Sequence, residues 1–298
     1  MNISNLGTER QNVASADLDT MSALEIARVI NAEDAKVASA VEKALPQIAR
    51  AIDAIAETFR MSGRLIYVGA GTSGRLAALD AAECPPTFGS NPKTVQFVIA
   101  GGDRALSRAK EMSEDSRQAG PRDLALRKPD RRDVVLGVAA SGRTPYTIAA
   151  IEYARKCEAK TVALVCNPNT PLGHAADIEI VVEVGPEVLS GSTRMKAGTA
   201  QKMVLNMLTT AAMARLGHIY GNLMVNVHTR NEKLLERGLA ILEQAAGVDR
   251  TGASRALKAS GNQVAVALIM LKTGLGRAQA VKKLKSFKGN VRSAIESS

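Results

Sequence analysis

LIYVGAGTSGRLAALDAAECPPTFG, residues 65–89, holds a buried strand, a turn rich in glycine and hydroxyls, and a helix in one stretch. Residues 65–68 form a short apolar run with β-branched and aromatic members, which predicts a strand. Gly69, Gly71 and Gly74 then let the backbone turn sharply into a helix, with Thr72 or Ser73 as the expected cap. Free amides, the positive end of the helix dipole and two hydroxyls converge there, which is what a phosphate needs. The spacing also satisfies G-x-G-x-x-G, but a dinucleotide site wants an acidic residue closing the second strand about 20 residues on. The next apolar run, 95–100, is followed by Gly101, Gly102 and Asp103, which is too late, and Asp80 and Glu83 fall inside the helix. A dinucleotide enzyme is therefore the weaker option.

Pro85 restricts Cys84, so the helix is expected to end at about Glu83. A carboxylate in a last turn faces the negative end of the dipole. Among Ala81, Ala82 and two prolines it would also be desolvated. General acids are made this way. A solvated surface glutamate fits the same position at a cost of about a few tenths of a kcal/mol.

Outward from this stretch the grammar repeats. Apolar runs rich in valine and isoleucine at 95–100, 133–140, 161–165 and 178–184 are separated by segments long enough for crossover helices, such as 146–157. The prediction is an α/β fold with a five-stranded parallel sheet in flavodoxin-like order, buried on both faces. A helical arm (1–56) precedes this domain (57–220), with Ile26, Val29, Ile30, Val37, Val41, Leu45, Ile48, Ile52 and Ile55 at helical spacings. A long apolar helix is expected over 192–216. A C-terminal helical region (221–298) follows, alanine-rich and cut into short helices by glycines from about 242.

A second hydroxyl-rich turn, Ser141, Gly142, Arg143 and Thr144, follows the third strand and leads into Pro145. In a flavodoxin-like order the first and third strands flank the topological switch point, so both turns open into one crevice. Either turn alone is more often a helix cap than a ligand site. Together they suit one phosphomonoester better than a pyrophosphate. A third cluster, Ser192, Thr193, Arg194 and Lys196, precedes the long helix. Cations in a first turn oppose the dipole unless they meet a ligand anion or a carboxylate. Glu111 and Glu114 lie in a polar, charged stretch that, as sequence, singles out neither.

Composition excludes several classes. Residues 1–12 are polar with no apolar leader core, and no apolar run approaches the ~18–20 residues of a membrane span. A cytoplasmic protein without membrane association is expected. Cys84, Cys157 and Cys166 are too few and wrongly spaced for a disulfide framework or zinc site, and His174, His218 and His228 form no ligand pattern, so no metal is expected. The net charge is +10, yet aromatics are 3% and tryptophan is absent. Lys282, Lys283, Lys285 and Lys288 read as one solvated helix face rather than a nucleic-acid contact.

TERQN (8–12), the 65–89 stretch, AASGRTPYT (139–147) and GSTRMKAGTAQKMVLNML (191–208) resemble the N-acetylmuramic acid 6-phosphate etherases, sugar-isomerase (SIS) domain enzymes of bacterial cell-wall recycling. The likeness runs nearly end to end and includes the small C-terminal helical domain. It implies a carbon–oxygen lyase with no cofactor, working as a homodimer with sites near the subunit boundary. It also implies that two glutamates carry catalysis, one before Cys-Pro-Pro and one before an aspartate downstream of the glycine pair. They match Glu83 and Glu114. On this reading Thr72, Ser73, Ser141, Gly142, Arg143, Thr144, Ser192, Thr193 and Lys196 bind the phosphosugar. MSEDSR around Glu114 follows the family pattern less closely than the Glu83 segment, and His228 and Arg230 stand where the usual form differs. The same domain occurs in the glucokinase regulatory protein, a non-enzymatic phosphosugar sensor, and in aldose-ketose isomerases and regulators. The chain lacks the second such domain of the former and a recognisable helix-turn-helix.

Overall fold

A computed structural model describes residues 6–108, 111–227 and 231–297. His228 and Arg230 lie outside the described residues. Three helices come first, α1 (Ala23–Asp34), α2 (Val37–Lys43) and α3 (Leu45–Arg60). Ser22 caps α1 in a box with Glu25, each side chain bonding the other's end of the first turn. The α/β segment then runs β1 (Leu65–Gly69), α4 (Gly71–Phe88), β2 (Val95–Ile99), α5 (Ala119–Ala125), β3 (Val134–Val138), α6 (Pro145–Lys156), β4 (Lys160–Val165), α7 (Pro171–Ala175) and β5 (Ile178–Val181). After it come α8 (Lys196–Arg215), α9 (Glu232–Ala246), α10 (Arg250–Ala259), α11 (Val264–Thr273), α12 (Arg277–Ser286) and α13 (Val291–Glu296).

The five strands are parallel in the order β2-β1-β3-β4-β5, the arrangement expected from the alternating runs. Alternation along each strand sends side chains to two helical layers. Ile66, Val68 and Val135 pack with Leu124 of α5 and Tyr146 and Ile151 of α6 in one core. On the opposite face Tyr67 donates to Asp80 of α4 at 2.8 Å, and Asn206 and Thr209 of α8 donate to the same carboxylate at 2.7 and 3.1 Å. Burial pushes the Asp80 carboxyl up, against the pull of these three donors.

Two compact units are present, one holding the chain up to Ala82 with Lys93–Thr209, the other holding Glu83–Pro92 with the chain from Thr210 onward. In the second, Val264–Ile269 of α11 is buried among Leu242, Leu257, Ala280 and Val291. α12 keeps Ala280 inside and leaves Lys282 and Lys285 exposed. No single helix among the described residues is long and apolar enough to cross a membrane.

Two expectations about α4 are corrected. The helix begins at Gly71, with the Gly74 amide already bonded to the Ala70 carbonyl, so Thr72 and Ser73 sit inside the first turn instead of capping it. Gly71 makes this early start possible because its φ of +52° suits a residue without Cβ. At the other end the helix continues through Pro85 and Pro86 to Phe88 and closes where the Gly89 amide bonds the Pro85 carbonyl. Each proline removes one backbone bond, and burial of Cys84 and Phe88 outweighs that loss.

Candidate active site

The crevice lies where β1 and β3 end side by side, Gly69 opposite Val138 in register. A cavity of about 350 Å³ opens there. Gly71, Thr72, Ser73 and Arg75 of α4 line it, together with Ser141 and Thr144 from the turn after β3, Thr193, Glu114 and Glu9. The amides of Gly71, Thr72 and Ser73 precede the first intrahelical bond of α4 and so belong to the orphan donors of its N-terminus.

Both hydroxyl turns were explicable as caps, and here their side chains do other things. Thr144 precedes α6 but makes no side-chain cap bond. Ser73 Oγ donates across to Gln201 Oε1 of α8 at 2.9 Å. Ser141 Oγ accepts from the Arg143 amide at 3.2 Å, closing a tight turn. Gly142, at φ +65°, makes that turn possible, since a Cβ there would lie 2.4 Å from Thr170.

Glu114 reaches the cavity from the segment after β2. Its carbonyl accepts from the Tyr146 amide at 3.0 Å, which ties this segment to the first turn of α6. Its Oε1 lies 2.8 Å from where a Cβ on Gly71 would stand, so the carboxylate rests against the mouth of α4. A charged surface stretch therefore delivers one carboxylate beside the phosphate-type donors, a placement no local pattern announced.

Not every predicted residue is here. Gly142, Arg143 and Ser192 are not on the cavity lining. Lys196 is a clear correction. Its ammonium is buried and donates to Glu33 of α1 at 2.6 Å, while its amide and that of Ala197 donate to the Glu187 carboxylate, both at 2.9 Å. The carboxylates that make a cation tolerable at this helix start come from the same chain. Burial alone would push the Glu33 carboxyl up, but hydrogen bonds from Lys196, Lys36 and Asn12 outweigh it and hold it at about 2. Because the folded value lies below the ordinary one, the unfolded chain binds more protons between pH 4.5 and 2, and this stabilisation is lost as pH falls through that window. Urea midpoints of wild type and Glu33→Gln should differ most at neutral pH and converge toward pH 2; a constant gap would contradict the pairing. Lys196→Met should lower stability by about 3–5 kcal/mol, the cost of breaking a buried pair, without selectively weakening phosphosugar binding.

Glu83 is not on the cavity lining either. It lies twelve residues past Gly71 on α4. Its side chain is exposed and it sits more than a turn before the helix end.

Glu9 and Arg75 are cavity residues that motif reasoning passed over. Thr8 and Asn167 bond each other twice, at 3.1 and 3.4 Å, and Asn167 also donates to the Ala140 carbonyl, which pins the N-terminal segment beside the β3 turn. Arg75 donates to the carbonyls of Ala105 and Arg108, bracing the segment that leads to Glu114. TERQN was visible as a motif, but only the fold shows where it goes. Among the described residues no three His, Cys, Asp or Glu side chains are grouped to hold a metal ion.

Residues 47–155 match the family model of the glucokinase regulatory protein N-terminal SIS domain, and residues 102–211 that of the SIS domain. The chain is 20% identical to a phosphoheptose isomerase from Francisella tularensis, with a TM-score of 0.50 over 64% of this chain and 98% of that one, a likeness of fold alone. It is 52% identical to the N-acetylmuramic acid 6-phosphate etherase of Edwardsiella ictaluri (strain 93-146), over 99% of both chains. Against the enzyme of the same name from Aliivibrio salmonicida (strain LFI1238) the identity is 49%, over 100% of this chain and 99% of the other. Full-length identity at this level separates the enzyme from the regulatory protein that shares its sugar-isomerase domain. The chain belongs to the N-acetylmuramic acid 6-phosphate etherase family.

Proposed function

We propose that the chain cleaves the D-lactyl ether at C3 of N-acetylmuramic acid 6-phosphate in the crevice between β1 and β3, giving N-acetylglucosamine 6-phosphate and D-lactate. The observation that carries this reading is the convergence of two hydroxyl turns, a helix N-terminus and the Glu114 carboxylate on one cavity. The 6-phosphate sits against the first amides of α4 and the hydroxyls of Ser73, Ser141 and Thr144, with Thr72 and Thr193 beside them. Ring opening exposes the C1 aldehyde, which acidifies the C2 proton. Glu114 takes that proton. The C3–oxygen bond then breaks as the ether oxygen receives a proton from Glu83, lactate leaves, and a C2–C3 double bond remains. Water activated by the Glu83 carboxylate adds its oxygen at C3, and C2 is reprotonated.

The acid comes from a second copy of the chain. Glu83 is exposed and absent from its own chain's cavity lining, whereas a homodimer with α4 at its interface brings the partner's Glu83 to that cavity. Enclosure there supplies the desolvation that a general acid needs. A sugar phosphate does not cross a bilayer unaided, which puts the reaction in the cytoplasm. Incubation with N-acetylmuramic acid 6-phosphate should release D-lactate, and no release would refute the activity. Replacing Ser73, Ser141 or Thr144 by alanine should weaken phosphosugar binding by about 1–3 kcal/mol each, the worth of a hydrogen bond to a charged group. Unchanged affinity in all three would reduce these turns to scaffolding.

A further inference from the structure

Gln201 is fully buried on α8, yet it faces the cavity wall through one atom of its side chain. Its Oε1 accepts the Ser73 hydroxyl at 2.9 Å, while its Nε2 is buried with no hydrogen-bond partner among the described residues. Gly198, one turn earlier, faces the start of α4: a Cβ there would make ordinary contacts with Thr72 and Leu76 at 3.6 and 3.7 Å. A buried amide that satisfies its acceptor and wastes its donors is an expensive way to fill space.

A serine hydroxyl has one proton and can give it to one partner. As long as Ser73 donates to Gln201, it has nothing to donate to a phosphate, which only accepts. Rotating the terminal amide by half a turn exchanges oxygen and nitrogen with almost no change of shape. Nε2 then donates to Ser73 Oγ, and the Ser73 proton is free to point into the cavity. A carboxamide offers both arrangements without any change of protonation.

We infer that Gln201 is a positioning residue of the phosphate cradle, whose amide reverses between accepting the Ser73 proton in the empty site and donating to Ser73 when phosphate is bound. The inference rests on the reading of Ser73 as a phosphate ligand, and its test is separable from that reading. Steady-state KM and kcat, and inhibition by N-acetylglucosamine 6-phosphate and by unphosphorylated N-acetylglucosamine, are to be compared in Ser73→Ala, Gln201→Glu, Gln201→Met and the Ser73→Ala/Gln201→Met double variant. Gln201→Glu keeps the shape and, once ionised, only accepts, so at a pH high enough to ionise it KM and the inhibition constant of the phosphorylated sugar should rise about tenfold or more, with kcat and inhibition by the unphosphorylated sugar little changed. Gln201→Met should lose affinity too, and the double variant should bind no more weakly than Ser73→Ala alone, because Gln201 acts only through Ser73. Unchanged KM in Gln201→Glu at that pH overturns the inference. So do multiplying losses in the double variant, which need only the methionine protein and keep the test decisive where the glutamate protein does not fold. Unchanged KM in Ser73→Ala would instead overturn the phosphate reading of Ser73 itself.

Discussion

Glu83→Gln should retain phosphosugar binding and lose most turnover, on the order of a hundredfold to ten-thousandfold, because a general acid is removed while the phosphate donors stay in place. Glu114→Gln should lose turnover on a similar scale, on the order of a hundredfold or more, and with it the exchange of the C2 proton with solvent. Exchange should survive in Glu83→Gln. The arrangement of α4 makes a sharper result possible. If Glu83 serves the partner's cavity, a mixed dimer of the two inactive variants contains one site with both carboxylates and one with neither. Random mixing makes about half of the dimers mixed, each with one working site of two, so co-expression should restore about a quarter of wild-type activity. Were both glutamates to act within one chain, no mixed dimer would hold an intact site. Activity no higher than that of either variant alone would therefore refute the shared site and return Glu9, the other carboxylate on the cavity lining, as the candidate acid.

The sheet was legible in the sequence because parallel strands buried on both faces are short continuous runs rich in valine and isoleucine, here repeated at intervals long enough for crossover helices. The crevice was legible because its donors sit at strand-to-helix turns whose glycines mark them, as Gly71 and Gly142 do with positive φ. Lys196 was misread. Its role depends on Glu33, 163 residues away, and local spacing says nothing about a carboxylate from another helix. The end of α4 was misread for a related reason: Pro85 and Pro86 lower local helix propensity, and burial of Cys84 and Phe88 overrides it. Glu114 and Glu9 emerge from segments with no regular period, so only the assembled sheet brings them together. Gln201 was hidden inside an apolar helix, where a buried glutamine reads as an ordinary polar interruption.

The activity and the proposed roles of both glutamates depend on which bond breaks. Elimination followed by hydration removes the sugar's original C3 oxygen along with lactate and passes through loss of the C2 proton. Displacement at the lactyl carbon would leave that oxygen on the sugar. Mass spectrometry of the products formed from N-acetylmuramic acid 6-phosphate in heavy-oxygen water separates the two, and a parallel reaction in deuterated water reports on C2. The account predicts solvent oxygen at C3 of the N-acetylglucosamine 6-phosphate, deuterium at its C2, and unlabelled D-lactate. Heavy oxygen in the lactate, with none at C3 of the sugar and no deuterium at C2, would contradict it.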